Sequence, residues 1–120
     1  MKFRVARHTN NLKTITAFYS GLPQMEVLGS FEAHEGYDGI FIGKPNESWH
    51  LEFTQSNEAT HHVPDEDDLL VFYYEDEKHQ QALAYLDGIT QRIAAKNPYW
   101  NTHGVSYKDP DGFGLVVVSI

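Results

Sequence analysis

Four side chains in the first half of the chain have types and spacings that suit chemistry. Arg4 and His8 lie four residues apart in a predicted N-terminal strand, and His50 and Glu52 lie two apart in a later one. Because side chains alternate across a strand, the members of each pair share a face. Imidazoles and carboxylates can bind a metal or transfer protons. A guanidinium can pair with a carboxylate or hold a ligand's polar group.

The elements that must position these residues follow from the hydrophobic pattern and from turn residues. In chain order they are strand 2–9, a helix from residue 12 that Gly21 and Pro23 end, strands 24–34, 40–42 and 48–54, strand 69–74, helix 77–95, and strands 103–108 and 114–120. In the second helix, Ile89 and Ile93 are expected to face the core. Each half thus reads strand, helix, then further strands, which we interpret as the order βαβββ twice. This interpretation predicts an α+β fold of two similar modules.

The length of 120 residues suits one compact domain. We expect module one at about residues 1–55, a polar linker at about 56–67 and module two at about 68–120, within a single domain 1–120. Neither half alone has enough residues for a stable core, so the linker is not expected to separate two domains.

The composition of the chain excludes several classes of partner and of ligand site. The net charge of −8, from 17 acidic and 9 basic residues, argues against a nucleic-acid partner and favours a cationic ligand. The absence of cysteine excludes disulfides, thiolate zinc sites and a cysteine nucleophile. No apolar run has the length of a membrane span, and the N-terminus lacks a signal-peptide pattern. We therefore expect a cytoplasmic protein without a membrane partner.

Four segments together carry a resemblance to a known superfamily. They are Asn11–Tyr19 followed by Gly21-Leu22, the pair Leu51-Glu52, the strand Leu70–Tyr74 and the turn Asp109-Pro110-Asp111-Gly112. With them the chain resembles the vicinal oxygen chelate superfamily, which includes glyoxalases, bleomycin-resistance proteins and extradiol dioxygenases. The resemblance covers essentially the whole chain. It implies paired βαβββ modules whose mixed sheet curls around a cavity, and often a homodimer.

Metal-dependent members of this superfamily bind one divalent ion with four side chains, and most of these are missing here. The corresponding positions are Arg4, Glu52, Leu69 or Leu70, and Val116. Only Glu52 is a metal ligand by type, and an arginine would repel a cation. The resemblance therefore implies a metal-less member similar to bleomycin-resistance proteins, with no cofactor.

The strands that carry Arg4, His8, His50 and Glu52 are neighbours in the fold that the resemblance implies, and their shared face lines the cavity. The four side chains are candidates for ligand binding. A structural ion-pair network and an acid/base role both remain open. A displaced metal site of His8, His50 and Glu52 also remains open, because these are legitimate ligand types.

Tyr99 and Trp100 follow the second predicted helix and complete the candidate site. Their flat side chains could stack on a ligand, although core or dimer packing is the plainer explanation. The sequence thus predicts a binding protein for a small cationic or aromatic molecule, without an assigned catalytic residue. The alternative is a metal-dependent lyase, isomerase or dioxygenase of glyoxalase type with a rearranged site.

Overall fold

The computed structural model describes all 120 residues and divides them into two compact units, Met1–His61 and His62–Ile120. We call these units module one and module two. Module one contains β1 (Phe3–His8), α1 (Leu12–Ser20), β2 (Glu26–His34), β3 (Tyr37–Gly43) and β4 (Trp49–Gln55). Module two contains β5 (Leu69–Tyr74), α2 (Asp76–Ile89), α3 (Pro98–His103), β6 (Val105–Lys108) and β7 (Gly114–Ser119). The predicted α+β class is confirmed.

The sheet of module one has the strand order β1-β4-β3-β2. β1 runs parallel to β4, and the other pairs are antiparallel. Helix α1 covers one face of this sheet and buries its apolar stripe there. The ring of Tyr19 on α1 stacks on that of Phe53 on β4, with centroids 5.2 Å apart. Phe53 therefore points toward the helix, and the residues on either side of it point to the opposite face.

The start of α1 is fixed by polar side chains, as the asparagine pair in the sequence predicts. The Asn11 side chain accepts a hydrogen bond from the backbone N–H of Thr14 at 3.0 Å, which caps the helix. The N–H of Leu12 donates to Oε1 of Gln55 at 2.8 Å. Because Gln55 ends β4, this bond ties the helix to the strand that carries His50 and Glu52.

Module two repeats most of this arrangement but lacks one strand. Its sheet has the order β5-β7-β6, with β5 parallel and β6 antiparallel to β7. A further strand beside β6 is reduced to one antiparallel bridge, in which the N–H of Ile93 donates to the carbonyl of Ser106 at 2.9 Å. The second module therefore has one strand fewer than the predicted βαβββ order, and it has an additional helix, α3.

The predicted helix 77–95 is too long, because α2 ends at Ile89. Ile89 and Ile93 are 53% and 38% exposed, so the prediction that they face the core is wrong. The chain turns back after α2, and Arg92 donates two hydrogen bonds to the Asp87 carboxylate at 3.0 and 2.9 Å. The hydroxyl of Tyr107 on β6 donates to the same carboxylate at 2.8 Å. These three bonds fix the chain reversal that the helical pattern did not indicate.

The Asn97-Pro98 pair begins a helix instead of only breaking one. The Asn97 side chain accepts from the N–H of Tyr99 at 3.1 Å, and Pro98 occupies the first turn of α3, where its missing N–H costs nothing. The strand predicted from residue 103 accordingly begins at Val105. None of the three helices combines the length and apolar character that a membrane crossing requires.

Candidate functional site

The parallel pairing of β1 with β4 sets the predicted polar residues side by side. Arg4 lies beside His50, Ala6 beside Glu52 and His8 beside Thr54. Neighbouring residues of paired strands point to the same face, which here is the face away from α1. The predicted strand parity is therefore what the structure shows for these residues.

Arg4 is the centre of this face. Its Nε donates a hydrogen bond to Nε2 of His50 at 3.0 Å, and its Nη1 lies 3.6 Å from Oε2 of Glu52. The guanidinium carbon also lies 4.8 Å from the centre of the Phe41 ring, within the range of a cation–π contact. One charged group thus organises an imidazole, a carboxylate and an aromatic ring.

His50 is held in its neutral form by this environment. Its side chain is only 8% exposed, and its ring meets the Phe41 ring edge-on at 5.4 Å. Burial lowers the pKa of His50 below 6.5, and the positive charges of Arg4 and Lys2 lower it further, while Glu52 partly opposes them. Because Nε2 accepts a bond from Arg4, the proton of the neutral ring lies on Nδ1.

His8 is separated from this group along the same strand. Its Nδ1 is 2.8 Å from the Thr54 hydroxyl, and its Nε2 is 3.1 Å from the Ser56 hydroxyl. A rise of about 3.3 Å per residue separates the Cα atoms of Arg4 and His8 by about 13 Å. The structure thus brings Arg4, His50 and Glu52 together but leaves His8 with other partners.

The residues at the superfamily's metal positions do not fit a divalent cation. In module one Arg4 and Glu52 form an ion pair with each other. In module two Val116 is fully buried, and Leu69 offers no donor atom. No group of three or more His, Cys, Asp or Glu side chains lies close enough to ligate one ion. His8, His50 and Glu52, which the sequence left open as a displaced metal site, are not gathered into such a group in the structure.

Tyr99 and Trp100 lie on α3 in module two and form part of an aromatic cluster there. The Tyr99 ring stacks on His103 with centroids 4.0 Å apart and meets Trp100 edge-on at 4.9 Å. Tyr99 is 53% exposed, which is compatible with the predicted contact to a ligand. The ligand-binding role of both residues stays a prediction.

A pocket of about 270 Å³ opens beside Arg4 and His50 in module one. Its other lining residues are Lys2, Leu28, Phe41, Lys44, Pro45, Asn46, Glu47 and Trp49. The sequence analysis missed these residues, although two signals pointed to some of them. Lys2 has the same strand parity as Arg4, and Lys44-Pro45-Asn46 forms the predicted turn before the strand of His50.

A smaller pocket of about 160 Å³ lies in module two, where a further strand beside β6 is reduced to a single bridge. It is lined by residues between Ile93 and Lys96 and by residues of β6. Ser106 on β6 is 5% exposed, and its hydroxyl has no hydrogen-bond partner. This pocket is bordered by the segment that follows α2.

Comparison with known families identifies the chain. Residues 3–54 match the YycE-like N-terminal domain, and residues 67–119 match the YycE-like C-terminal domain. The chain belongs to the YycE-like family. The matched ranges cover all seven strands and all three helices described above, except for Gln55, the last residue of β4.

The YycE-like relatives include a protein of Bacillus subtilis strain 168. The uncharacterized protein YycE of that organism is 38% identical over 121 residues, which cover 98% of this chain and 87% of the relative. The crystal structure of B. subtilis YycE has a TM-score of 0.88 at 38% identity and covers 98% of this chain and 88% of that one. It is described as a protein of unknown function and a candidate glyoxalase/fosfomycin resistance protein.

More distant solved structures share the fold of this YycE-like chain. Trypanothione-dependent glyoxalase I of Leishmania major has a TM-score of 0.71 at 18% identity, covering 97% of this chain and 84% of that one. FosX of Mesorhizobium loti, a fosfomycin resistance protein, has a TM-score of 0.69 at 8% identity, covering 96% and 87%. These likenesses confirm the glyoxalase-type fold.

Proposed function

We propose that this YycE-like chain binds a small molecule on the polar face of module one without the divalent metal of metal-dependent superfamily members. The observation that carries the proposal is the double contact of Arg4 with His50 and Glu52. A fixed guanidinium there provides the positive charge that a metal supplies elsewhere in the superfamily.

Arg4 keeps hydrogen-bonding capacity for a ligand. A guanidinium has five N–H donors, and its contacts with His50 and Glu52 occupy only some of them. The Arg4 side chain is 45% exposed, so its remaining donors can be reached from solvent. His8 would contact a ligand only by giving up the bond to Thr54 or to Ser56. Arg4 and His50 are therefore our principal ligand contacts.

The character of the ligand depends on local residues more than on the charge of the whole chain. The net charge of −8 alone favours a cationic guest. Phe41 and Leu28 line the pocket beside Arg4, and the Phe41 ring lies against the guanidinium, which supports an aromatic or other apolar part of the ligand. In module two, Tyr99 and Trp100 are the candidates for stacking.

We further propose that the protein acts in the cytoplasm as a homodimer, because proteins of the superfamily that it resembles often form homodimers. Phe3, Val5 and Val27 in module one are exposed apolar side chains that a second copy could cover. Sedimentation equilibrium checks this proposal. A single species of monomer mass at every concentration would rule it out.

A metal-dependent lyase, isomerase or dioxygenase of glyoxalase type is the alternative. Glu52 keeps the ligand type at one of the four metal positions, and B. subtilis YycE is described as a candidate glyoxalase/fosfomycin resistance protein. In this alternative Glu52 would be a metal ligand or a base. It requires Arg4 to leave the ion pair that it forms with Glu52.

Thermal unfolding of metal-stripped protein in EDTA, against a small-molecule library of mixed charge, tests the proposal. We expect some compounds to raise the unfolding temperature of the wild-type chain and to lose this effect in Arg4→Met. Lys13→Met is the matched control, because Lys13 is exposed on α1, which covers the opposite face of the sheet. If no compound stabilises the protein, or if Arg4→Met keeps every effect, the proposed site is wrong.

A further inference from the structure

The pocket beside Arg4 has a charge opposite to that of the whole chain. Lys2, Arg4 and Lys44 line it, and Glu47 is its only carboxylate. The full chain carries 17 acidic and 9 basic residues. A concentration of positive charge in one concave site of an acidic protein raises the local concentration of anions.

The positive charges act on the same buried group. His50 lines the pocket and is only 8% exposed. Arg4 donates to its Nε2 at 3.0 Å, and Lys2 lines the same pocket. The two cations therefore lie on the same side of the sheet as His50, one on β1 and the other just before it.

The carboxylates near these cations leave them available to a ligand. Lys44 pairs with Glu47 at 3.5 Å, with side chains 47% and 41% exposed, and such exposed pairs are weak. Glu52 lies 3.6 Å from Arg4 but is not part of the pocket lining. Lys2 has no ion pair in the structure. An anion that enters the pocket would therefore have few existing ion pairs to replace.

Part of the pocket lining is apolar. Phe41 is half-buried and Leu28 is exposed, and both line the pocket beside Arg4. The volume of about 270 Å³ lies just below the range of about 300–1,000 Å³ that is typical of ligand sites. A compound with one ring and one charged group suits this size.

We propose that the pocket of module one binds a small organic anion, with its carboxylate or phosphate toward Lys2, Arg4 and Lys44 and its apolar part against Phe41 and Leu28. This inference rests on the proposed small-molecule function and specifies its ligand class. Arg4 and the two lysines hold the charge, and Phe41 and Leu28 contact the apolar part. The ligand class is thus opposite in charge to the one that the net charge of the chain favours.

A matched series of three probes separates charge from shape. Phenylacetate carries the anion, phenylacetamide is its neutral isostere, and 2-phenylethylammonium carries a cation. Calorimetric titration into metal-stripped protein should rank phenylacetate first. Its affinity should fall with added sodium chloride, whereas the affinity of phenylacetamide should not, because salt screens exposed charges.

Substitution of the cations identifies the site. We expect Lys2→Met and Lys44→Met each to weaken phenylacetate binding about fivefold, the effect of one exposed charge at contact distance. Neither change should alter the weaker binding of phenylacetamide. Lys13→Met removes an equal charge from the far face of the sheet and should leave both affinities unchanged.

The outcomes separate this inference from the proposed function. Tighter binding of phenylacetamide or 2-phenylethylammonium than of phenylacetate would overturn the anion inference and leave a small-molecule site. Equal effects of Lys13→Met and Lys44→Met would also overturn it. If phenylacetate fails to bind at its solubility limit, the anion inference is wrong. Only if no library compound stabilises the protein does the proposed function fail with it.

Discussion

Arg4 carries three interactions that a shorter or neutral side chain could not make together. It donates to His50, pairs with Glu52 and lies over the Phe41 ring. A lysine could supply the charge but not the planar, directed donors. The function that we propose depends on this geometry, because the same guanidinium both orders the buried imidazole and remains partly exposed to a ligand.

His50 should titrate at a lower pH than an ordinary histidine. Burial and the charges of Arg4 and Lys2 hold its pKa below 6.5. NMR titration of the imidazole resonances, assigned through His50→Gln, measures this directly. A midpoint at or above 6.5 would contradict the buried, cation-flanked environment.

The same shift makes stability depend on pH in a defined direction. Because the folded pKa of His50 lies below its unfolded value, the unfolded state binds the proton first. The free energy of unfolding should therefore fall as the pH decreases below about 6.5, down to the folded pKa. His50→Gln should remove this part of the slope, since glutamine can still accept from Arg4. If denaturant unfolding shows the same pH dependence of the free energy of unfolding in His50→Gln as in the wild-type chain, this prediction is wrong.

Strand alternation together with the superfamily resemblance predicted that Arg4, His50 and Glu52 share a face, because a period of two fixes side-chain direction within each strand and the resemblance made the two strands neighbours. It did not predict that His8 would bind Thr54 and Ser56. Those contacts depend on the register between two strands that are distant in the sequence. Lys2 was missed although it lies in the predicted strand 2–9 and its parity is that of Arg4.

Helix α2 ends where a side-chain network replaces helical hydrogen bonds. Arg92 and Tyr107 both donate to the Asp87 carboxylate. Their hydrogen bonds hold the pKa of Asp87 below 3.8, and burial together with the bond to Asp87 raises the pKa of Tyr107 to about 12. The network joins the end of the helix to β6.

Removal of the Tyr107 hydroxyl should loosen the segment after α2. In Tyr107→Phe we expect faster hydrogen exchange at the amide of Ile93, which donates to Ser106. The amide of Thr9 donates to Thr54 in module one and is the internal control. Since the pKa of Asp87 is lowered on folding, the network is intact at neutral pH and is lost as the pH falls through that pKa. Equal hydrogen-exchange rates at the Ile93 amide in the wild-type chain and in Tyr107→Phe would show that the network does not hold the segment after α2.

Two aliphatic side chains on α2, Leu86 and Ile89, should respond differently to truncation. Leu86 is fully buried, so Leu86→Ala should cost about 2–5 kcal/mol of unfolding free energy. Ile89 is 53% exposed at the helix end, so Ile89→Ala should change stability by no more than about 0.5 kcal/mol. Denaturant unfolding compares the two. A large loss in Ile89→Ala would mean that the helix continues into the core as its periodicity indicates.

The apolar spacing of α2 continues to Ile93, so the sequence predicted a longer helix than forms. Local spacing reports what a helix would bury, but the end of the helix depends on Tyr107, which is 20 residues from Asp87 in the sequence. The Asn97-Pro98 signal was local and readable, and we interpreted it as a break instead of a helix start. The predicted helix was too long because the end of α2 depends on a contact between residues distant in the sequence. The start of α3 was missed because we misinterpreted a local signal.

The molecule as a whole combines a net charge of −8 with one pocket lined by three cations and one carboxylate. Whole-chain charge therefore describes solubility better than it describes the ligand. The glyoxalase-type fold was predictable from four short segments, whereas this pocket was not, because its residues come from β1, β2, β3, β4 and the turn between β3 and β4. A shared fold alone does not determine function.

Our central claim is that Arg4 replaces a metal ion as the positive centre of the site. The most direct test is thermal unfolding of metal-stripped protein with and without excess Zn²⁺, Ni²⁺, Mn²⁺ or Fe²⁺. A metal at a hundred times its dissociation constant would stabilise the protein by about 2.7 kcal/mol, a shift of several degrees. We predict no shift that depends on Glu52. A shift that Glu52→Gln or His50→Ala abolishes, and that the exposed control Glu58→Gln retains, would contradict the account and support the metal-dependent enzyme.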